Sequence, residues 1–477
     1  MRTFFIISLA LISISAFSQN LSSDSVYSDS SLTNASVSLC VADAETGELI
    51  IDYNSGISLI PASVQKVITS SAALELLGPE YTFRTSIGFT GSLNKRSGKL
   101  KGNIIIRGGG DPALGSFYFP EHYAGFMDAW IAEIKKLGIK RIKGNVITDD
   151  SYFDFQPVPA RWLWEDAGNY YGAGAYGLSV FDNTYEIHFR TFSEGFPPSV
   201  TSVSPEECNA ELSNYLLSSG TRDEGYVFAA PYSSSGWIAG TVPADQQDFV
   251  LKASIPDPPL FMARIMNRKL RESGVRISGS SSTARLEKAI TQGKVTTVTE
   301  TVSPPLSEII EVLNHESVNL IAEHLTKELG KKFKNAGSTE AGIEVINEFL
   351  KTTGVNTNGI FLEDGSGLSP LNAINTREMV RLLVYMRKTT NFNYFLSSLP
   401  RAGKEGTLAN SFKDPVFDSR LMAKSGSMTR VRSFAGYFTT KSGKNMVFSI
   451  IINNYSGPSR AIISGIEDNI KELIINN

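Results

Sequence analysis

"AKSGSMTRVRSFAGYFTTKSGKNMVFSIIINN", residues 423–454, contains Lys-Ser-Gly twice, at Lys424–Gly426 and at Lys441–Gly443. The two copies have different readings. "SFAGYF" and "MVFSIIIN" are rich in aromatic and β-branched residues and predict two strands. The second copy falls between them, where a tight hairpin turn belongs, and Ser-Gly is suitable turn chemistry. The first copy precedes "SMTRVRSFAGYF" and therefore falls on or beside a strand that pairs antiparallel with "SFAGYF". There Lys424 can present its charge across a cleft, Gly426 leaves room for a substrate backbone, and the Ser427 amide can point at an oxyanion.

The chain after this stretch, "SRAIISGIEDNIKELII", carries Ile462, Ile463, Ile466, Ile470 and Ile474 on one helical face and predicts a helix packed on the sheet. Its other face bears Glu467, Asp468 and Glu472 with a single lysine, which argues against docking on anionic lipid. Near the N-terminus, "ASVSLCVADAETGELIIDYN" alternates apolar and polar residues around "DAETGE" and predicts a hairpin, Val37–Ala42 and Glu48–Tyr53. "SVQKVITSSAALELLGPE" then reads as a helix, with Val64, Val67, Ile68, Leu74 and Leu77 as its stripe and Gly78-Pro79 as its stop. Residues 86–302 are mostly short strand-like runs with glycine and proline turns, and helical patterns return from 303.

A hairpin at one end and strands at the other, each with an uncovered face, join naturally in one sheet. The expected architecture is α+β. A discontinuous domain, 19–85 and 303–477, has an antiparallel sheet flanked by helices, and a mainly β insertion of two subdomains, 86–302, interrupts it.

"MRTFFIISLALISISAFSQN" has one basic residue, Arg2, and an apolar run, with small residues before a cut ahead of Gln19. Residues 1–18 therefore read as a secretory signal peptide, with a short N-terminal anchor as the alternative. The mature chain is expected to carry no transmembrane segment. A net charge of −3 and no basic tract give no footprint for nucleic acid. The two cysteines, Cys40 and Cys208, can pair in an exported protein, although Cys40 sits in a strand pattern as a small hydrophobe. The four histidines show no metal-ligand spacing, and no metal or organic cofactor is expected.

Ser63-Val64-Gln65-Lys66 opens the first helix, where positions three apart share a face, so the Lys66 amine can stand beside the Ser63 hydroxyl. A lysine in a poorly solvated cleft loses its proton more easily and can then deprotonate serine. Ser317-Val318-Asn319 can project a hydroxyl and an amide from a helix entry. Each pattern is cheap alone. Ser92-Leu93-Asn94-Lys95 satisfies both spellings, and a capping serine is the bland reading of either. Trp162, Trp164, Tyr170 and Tyr171 read as an aromatic core of the insertion, with sugar stacking as the alternative.

The three motifs in this order, each on the element its chemistry requires, carry more weight together. With "NIIIRGGGDPAL", "WEDAGNYYGAGAYGLSVFDN", "DGSGLSP" and "LPRAGKEGTLANSF", the chain resembles the penicillin-binding protein superfamily over nearly all its mature length. It resembles most the exported D-alanyl-D-alanine carboxypeptidase/endopeptidase branch, the low-molecular-mass class C proteins, with a serine β-lactamase/transpeptidase-like domain and a large insertion between the first two motifs. Ser425 stands where threonine is common, and Val318 where aspartate often stands.

The resemblance implies a periplasmic or cell-envelope enzyme that acts on peptidoglycan stem peptides. Ser63 would be the nucleophile, Lys66 its base, and Ser317 the proton relay to the leaving amine. Asn319 would hold the substrate amide, and Lys424 would supply positive potential. Ser425, Gly426 and Ser427 would bind substrate, the Ser63 and Ser427 N–H groups would form the oxyanion hole, and β-lactams would acylate Ser63. A β-lactamase, a Ser-Lys esterase of the same fold and a non-catalytic wall-binding protein are the alternatives.

Overall fold

The strand Ser36–Asp43 joins the two ends of the chain. Its one neighbour is Leu49–Tyr53, its hairpin partner; the other is Asn445–Asn453, with Val37 opposite Ile452 and Val41 opposite Phe448. The computed structural model describes residues 30–208, 210–287 and 294–476, so the expected signal peptide lies outside the described residues.

The five-stranded sheet runs Leu421–Met428, Val431–Thr439, Asn445–Asn453, Ser36–Asp43 and Leu49–Tyr53, antiparallel throughout. Lys424–Gly426 lies in the edge strand, with Lys424 opposite Ala435. Lys441–Gly443 is the turn between the next two strands, and Gly443 takes φ +88°, a conformation that favours glycine. The strands alternate apolar residues to two different partners. Val37, Leu39, Val41, Phe448, Ile450 and Phe434 pack with Ile462, Ile466, Ile470 and Ile474 of the terminal helix Ser459–Asn476. Cys40, Ala42, Ala435, Val447 and Ile451 face the other way, into the main helical core. Both faces of the three central strands are thus buried, which suits the apolar runs of Val431–Thr439 and Asn445–Asn453.

The helix Lys66–Leu77 lies at the centre of that core. Every residue from Lys66 to Leu74 is buried, including Thr69, Ser70 and Ser71, so the expected one-sided stripe understates its burial. It packs against the helices Leu306–His315 and Asn319–Lys334. His315 ends the first of these.

Between the helix Lys66–Leu77 and Leu306 lie sheets of five, four, three and three strands. Arg84–Phe89 and Thr296–Val302 pair with each other in the first of them, which brings both ends of the intervening stretch together. On this partition of strands we propose that residues 86–302 are the inserted region. It also holds two helices that sequence reading did not single out, Phe126–Lys136 and Pro258–Glu272. The look-alike Ser92–Asn94 is a strand there, without the helix start the chemistry needs.

Cys40 and Cys208 are free and buried, and desolvation pushes both thiols up to about 12. No helix among the described residues is long and apolar enough to cross a membrane.

Candidate active site

The chain enters the site through a strained turn. Ala62 takes φ +47°, in the left-handed region a non-glycine residue rarely adopts, and Ala62–Gln65 forms a 3₁₀ turn before the α-helix begins at Lys66. In a 3₁₀ turn residues three apart eclipse, which brings Ser63 and Lys66 together more closely than an α-helix would. The Ser433 hydroxyl donates to the Pro61 carbonyl at 2.6 Å and ties this turn to the sheet.

Gly426 allows the edge strand to press against the same turn. A Cβ there would stand 2.2 Å from Ser433 Oγ, 2.7 Å from Pro61 O and 3.0 Å from Ser63 N. Gly426→Ala is therefore expected to push the strand off the turn and lower acylation on the order of 10²-fold, since misplacements near 1 Å are that costly. Stopped-flow acylation, with a melting curve to show a folded protein, checks this.

Lys66 is wholly buried and its Nζ has three partners: Asn319 Oδ1 at 2.6 Å, the Ser366 carbonyl at 2.8 Å and Ser63 Oγ at 2.9 Å. The first two oxygens can only accept. Burial lowers the Lys66 amine to about 7, against the opposing pull of the Asp364 and Glu323 carboxylates. A neutral amine has two N–H bonds, which the two carbonyl oxygens take. Its lone pair is then left facing Ser63, whose hydroxyl can donate into it.

The Ser366 carbonyl is held by a buried carboxylate pair: Asp364 belongs to the "DGSGLSP" stretch, to which sequence reading gave no role, and Glu323 was missed. Glu323 accepts from the Ser366 N–H at 2.9 Å and the Gly365 N–H at 3.1 Å, and burial, then Asp364, pushes its own carboxyl up. Asp364 accepts from the Gly367 and Ser369 N–H groups at 2.7 and 2.6 Å, from Asn372 at 3.0 Å, from Gln65 at 3.1 Å and from Trp162 Nε1 at 2.7 Å. Gly367, at φ +84°, would carry a Cβ 2.0 Å from Ala62 O, so this loop and the Ser63 turn fit only with glycine there. The signals were "DGSGLSP" itself and a glutamate one helical turn after Asn319.

Across the cleft, Ser317 takes φ +60° just before the helix that begins at Asn319. Its hydroxyl accepts from Lys424 Nζ at 2.9 Å, and Lys424 also donates to the Ser425 carbonyl at 2.9 Å. Asn319 spends one N–H on the Tyr171 carbonyl at 2.9 Å, so its amide serves Lys66 and the inserted region at once. Ser425 Oγ donates to Thr407 Oγ1 at 2.8 Å, a residue of the "LPRAGKEGTLANSF" stretch not singled out from sequence. The site therefore gathers Ser63, Lys66, Ser317, Asn319, Lys424, Ser425 and Gly426, while Ser427 lies one step along the edge strand, exposed.

Lys424 is also wholly buried, and its pKa is driven well down, first by desolvation and then by the charge on Lys66. Among the described residues no carboxylate forms an ion pair with either lysine. An anionic substrate group beside Lys424 would favour its ammonium form.

The expected aromatic core is corrected. Trp162 is buried, but Trp164 and Tyr170 are 52% and 56% exposed. Tyr170 opens a short 3₁₀ turn and Trp164 lies in the segment before it, and both rings stay largely in solvent.

This frame of sheet, central helix and three motifs across one cleft is the fold of the penicillin-binding proteins. A model of the D-Ala-D-Ala carboxypeptidase 3 (S13) family matches residues 19–473, and the chain belongs to that family. It is thereby a low-molecular-mass penicillin-binding protein in class and a serine-type carboxypeptidase, a hydrolase. The D-alanyl-D-alanine carboxypeptidase of Actinomadura sp. is 29% identical over 91% of this chain and 81% of that protein. The crystal structure of penicillin binding protein 4 (dacB) from Haemophilus influenzae superposes with a TM-score of 0.79 at 24% identity, covering 92% of this chain and 96% of that one. Its complex with a β-lactam superposes at 0.76 and 21% identity, over 93% and 97%.

Proposed function

We propose that this D-Ala-D-Ala carboxypeptidase cleaves peptidoglycan stem peptides through an acyl-enzyme on Ser63, outside the cytoplasm. The observation that carries the reading is Lys66, held by two acceptor-only oxygens with its third direction on Ser63 Oγ. Ser63 Oγ attacks the penultimate D-Ala carbonyl while its proton passes to Lys66. The carbonyl oxygen becomes an oxyanion between the Ser63 and Ser427 N–H groups, where each donor is worth about 3 kcal/mol. Ser317, held by Lys424, relays a proton to the leaving amine, the C–N bond breaks and D-Ala departs. Lys424, Ser425 and Ser427 take the terminal carboxylate. Water then attacks the ester, giving the shortened peptide and free Ser63.

The same groups serve D-Ala–diaminopimelate cross-links, whose leaving group is likewise an amine beside a carboxylate. A β-lactam places its own amide carbonyl and carboxylate on these positions, and the related Haemophilus influenzae structure was solved with such a compound. Export rests on the N-terminal signal-like segment.

The test is D-Ala release from an acylated tripeptide ending in D-Ala-D-Ala. Below the Lys66 value of about 7 the amine is protonated and cannot accept the Ser63 proton. The expected kcat/KM therefore falls about tenfold per pH unit on the acid side and levels off above pH 7. Release that is flat from pH 5 to 8 would remove Lys66 as the base.

A further inference from the structure

The inserted region turns an uncovered aromatic face outward beside the cleft. Its three-stranded sheet pairs Glu211–Ser218, Ser235–Val242 and Glu224–Ala229 in that order. One side of it is core, with Leu216, Val227, Ile238 and Val242 buried. On the other side the register puts Ser213, Trp237 and Phe228 in one row and Tyr215, Ala239 and Tyr226 in the next. Trp237 stacks on Phe228 with centroids 5.3 Å apart, and Trp164 reaches in from its loop to 6.3 Å. Tyr215 is 67% exposed and Trp237 40%. So many large rings on one solvent face are a signal of recognition.

The face is continuous with the catalytic cleft. Asn169 brackets Val227, accepting its N–H at 3.0 Å, and a Cβ on Gly168 would lie 2.0 Å from the Val227 carbonyl. The loop from Trp164 to Tyr171 is therefore pinned along the strand Glu224–Ala229, and two residues after Asn169 the Tyr171 carbonyl holds Asn319. Tyr226 lies near enough to Tyr171 to help hold its phenol above the ordinary range, behind burial and Asp166.

Composition selects the occupant. The rows carry Glu211 and Glu224 but no lysine or arginine, so an anionic polymer is disfavoured and a second copy would set like charges against each other. The rings are Trp, Tyr and Phe interleaved with Ser213, Ser235 and Thr241, which offers flat π faces beside hydroxyls. A pyranose presents the matching surface, a flat C–H face ringed by hydroxyls, and the ring quadrupole attracts those C–H groups.

We propose that this face, centred on Trp237 and Tyr215, binds a neutral β-1,4-linked amino-sugar chain and so seats the glycan strand that carries the stem peptide. The inference rests on the proposed function for the identity of the polymer. It assigns the sheet no part in bond cleavage.

The test is saturation-transfer NMR of the full chain with a hexamer of β-1,4-linked N-acetylglucosamine. Transfer to the sugar ring protons is expected, falling at least about tenfold in Tyr215→Ala/Trp237→Ala, since truncated aromatic anchors dominate such contacts. D-Ala release from the soluble tripeptide should be unchanged in that variant. Trp164→Ala, from the loop rather than the sheet, should weaken transfer as well. No transfer to the wild type, or equal transfer to the double variant, overturns the proposal. A wild-type dimer in sedimentation that the double variant breaks also overturns it, because a second copy then covers the face. Sugar binding without D-Ala release would support this face and reject the proposed function.

Discussion

Ser63→Ala is expected to lower D-Ala release on the order of 10⁴-fold or more and to abolish covalent capture of benzylpenicillin, with the melting temperature essentially unchanged. The loss follows from removing the atom proposed to form the acyl bond, and nucleophile deletions in serine hydrolases reach such values. The fold survives because the Ser63 side chain contributes one hydrogen bond, to Lys66, which keeps Asn319 and Ser366 as partners. Steady-state kinetics with a melting curve checks both halves. A folded alanine variant that still hydrolyses the peptide would place the nucleophile elsewhere.

The second large effect separates proton transfer from mere charge. Lys66→Met removes the proposed base and should cost about 10³–10⁴-fold in acylation, the upper range for a general base. Lys66→Arg keeps a cation and several N–H donors, yet guanidinium does not give up its proton in proteins. It should therefore be nearly as inactive as Lys66→Met. If Lys66 acted only by attracting the oxyanion, Arg would restore most of the rate. Acylation rates of the two variants, each with its pH profile, decide between the roles.

Much of this arrangement was legible because it is local or periodic. Ser63 and Lys66 share one helical turn, Ser317 and Asn319 one helix entry, and the two Lys-Ser-Gly copies were separated by where a hairpin must turn. The closure of one sheet from both chain ends followed from uncovered faces. What sequence did not show depends on contacts across hundreds of residues. The Ser366 carbonyl reaches Lys66 from a loop shaped by Glu323 and Asp364, and the "DGSGLSP" stretch and the glutamate one turn after Asn319 do not by themselves say that the two meet. Thr407 meets Ser425 from a short 3₁₀ turn, Gly406–Leu408, eighteen residues before it. The exposed Trp164 and Tyr170 were misread because aromatic composition alone does not say which side of a loop faces water. The domain division at 86–302 remains a proposal drawn from sheet membership, with Arg84 and Thr85 already paired inside the inserted sheet.

The most direct test of the central claim is peptide-mapping mass spectrometry of the mature protein after brief exposure to benzylpenicillin. One adduct equal in mass to the whole antibiotic is expected, on the fragment that contains Ser63. An adduct on any other residue, or rapid loss of the antibiotic with no adduct at all, would contradict the account.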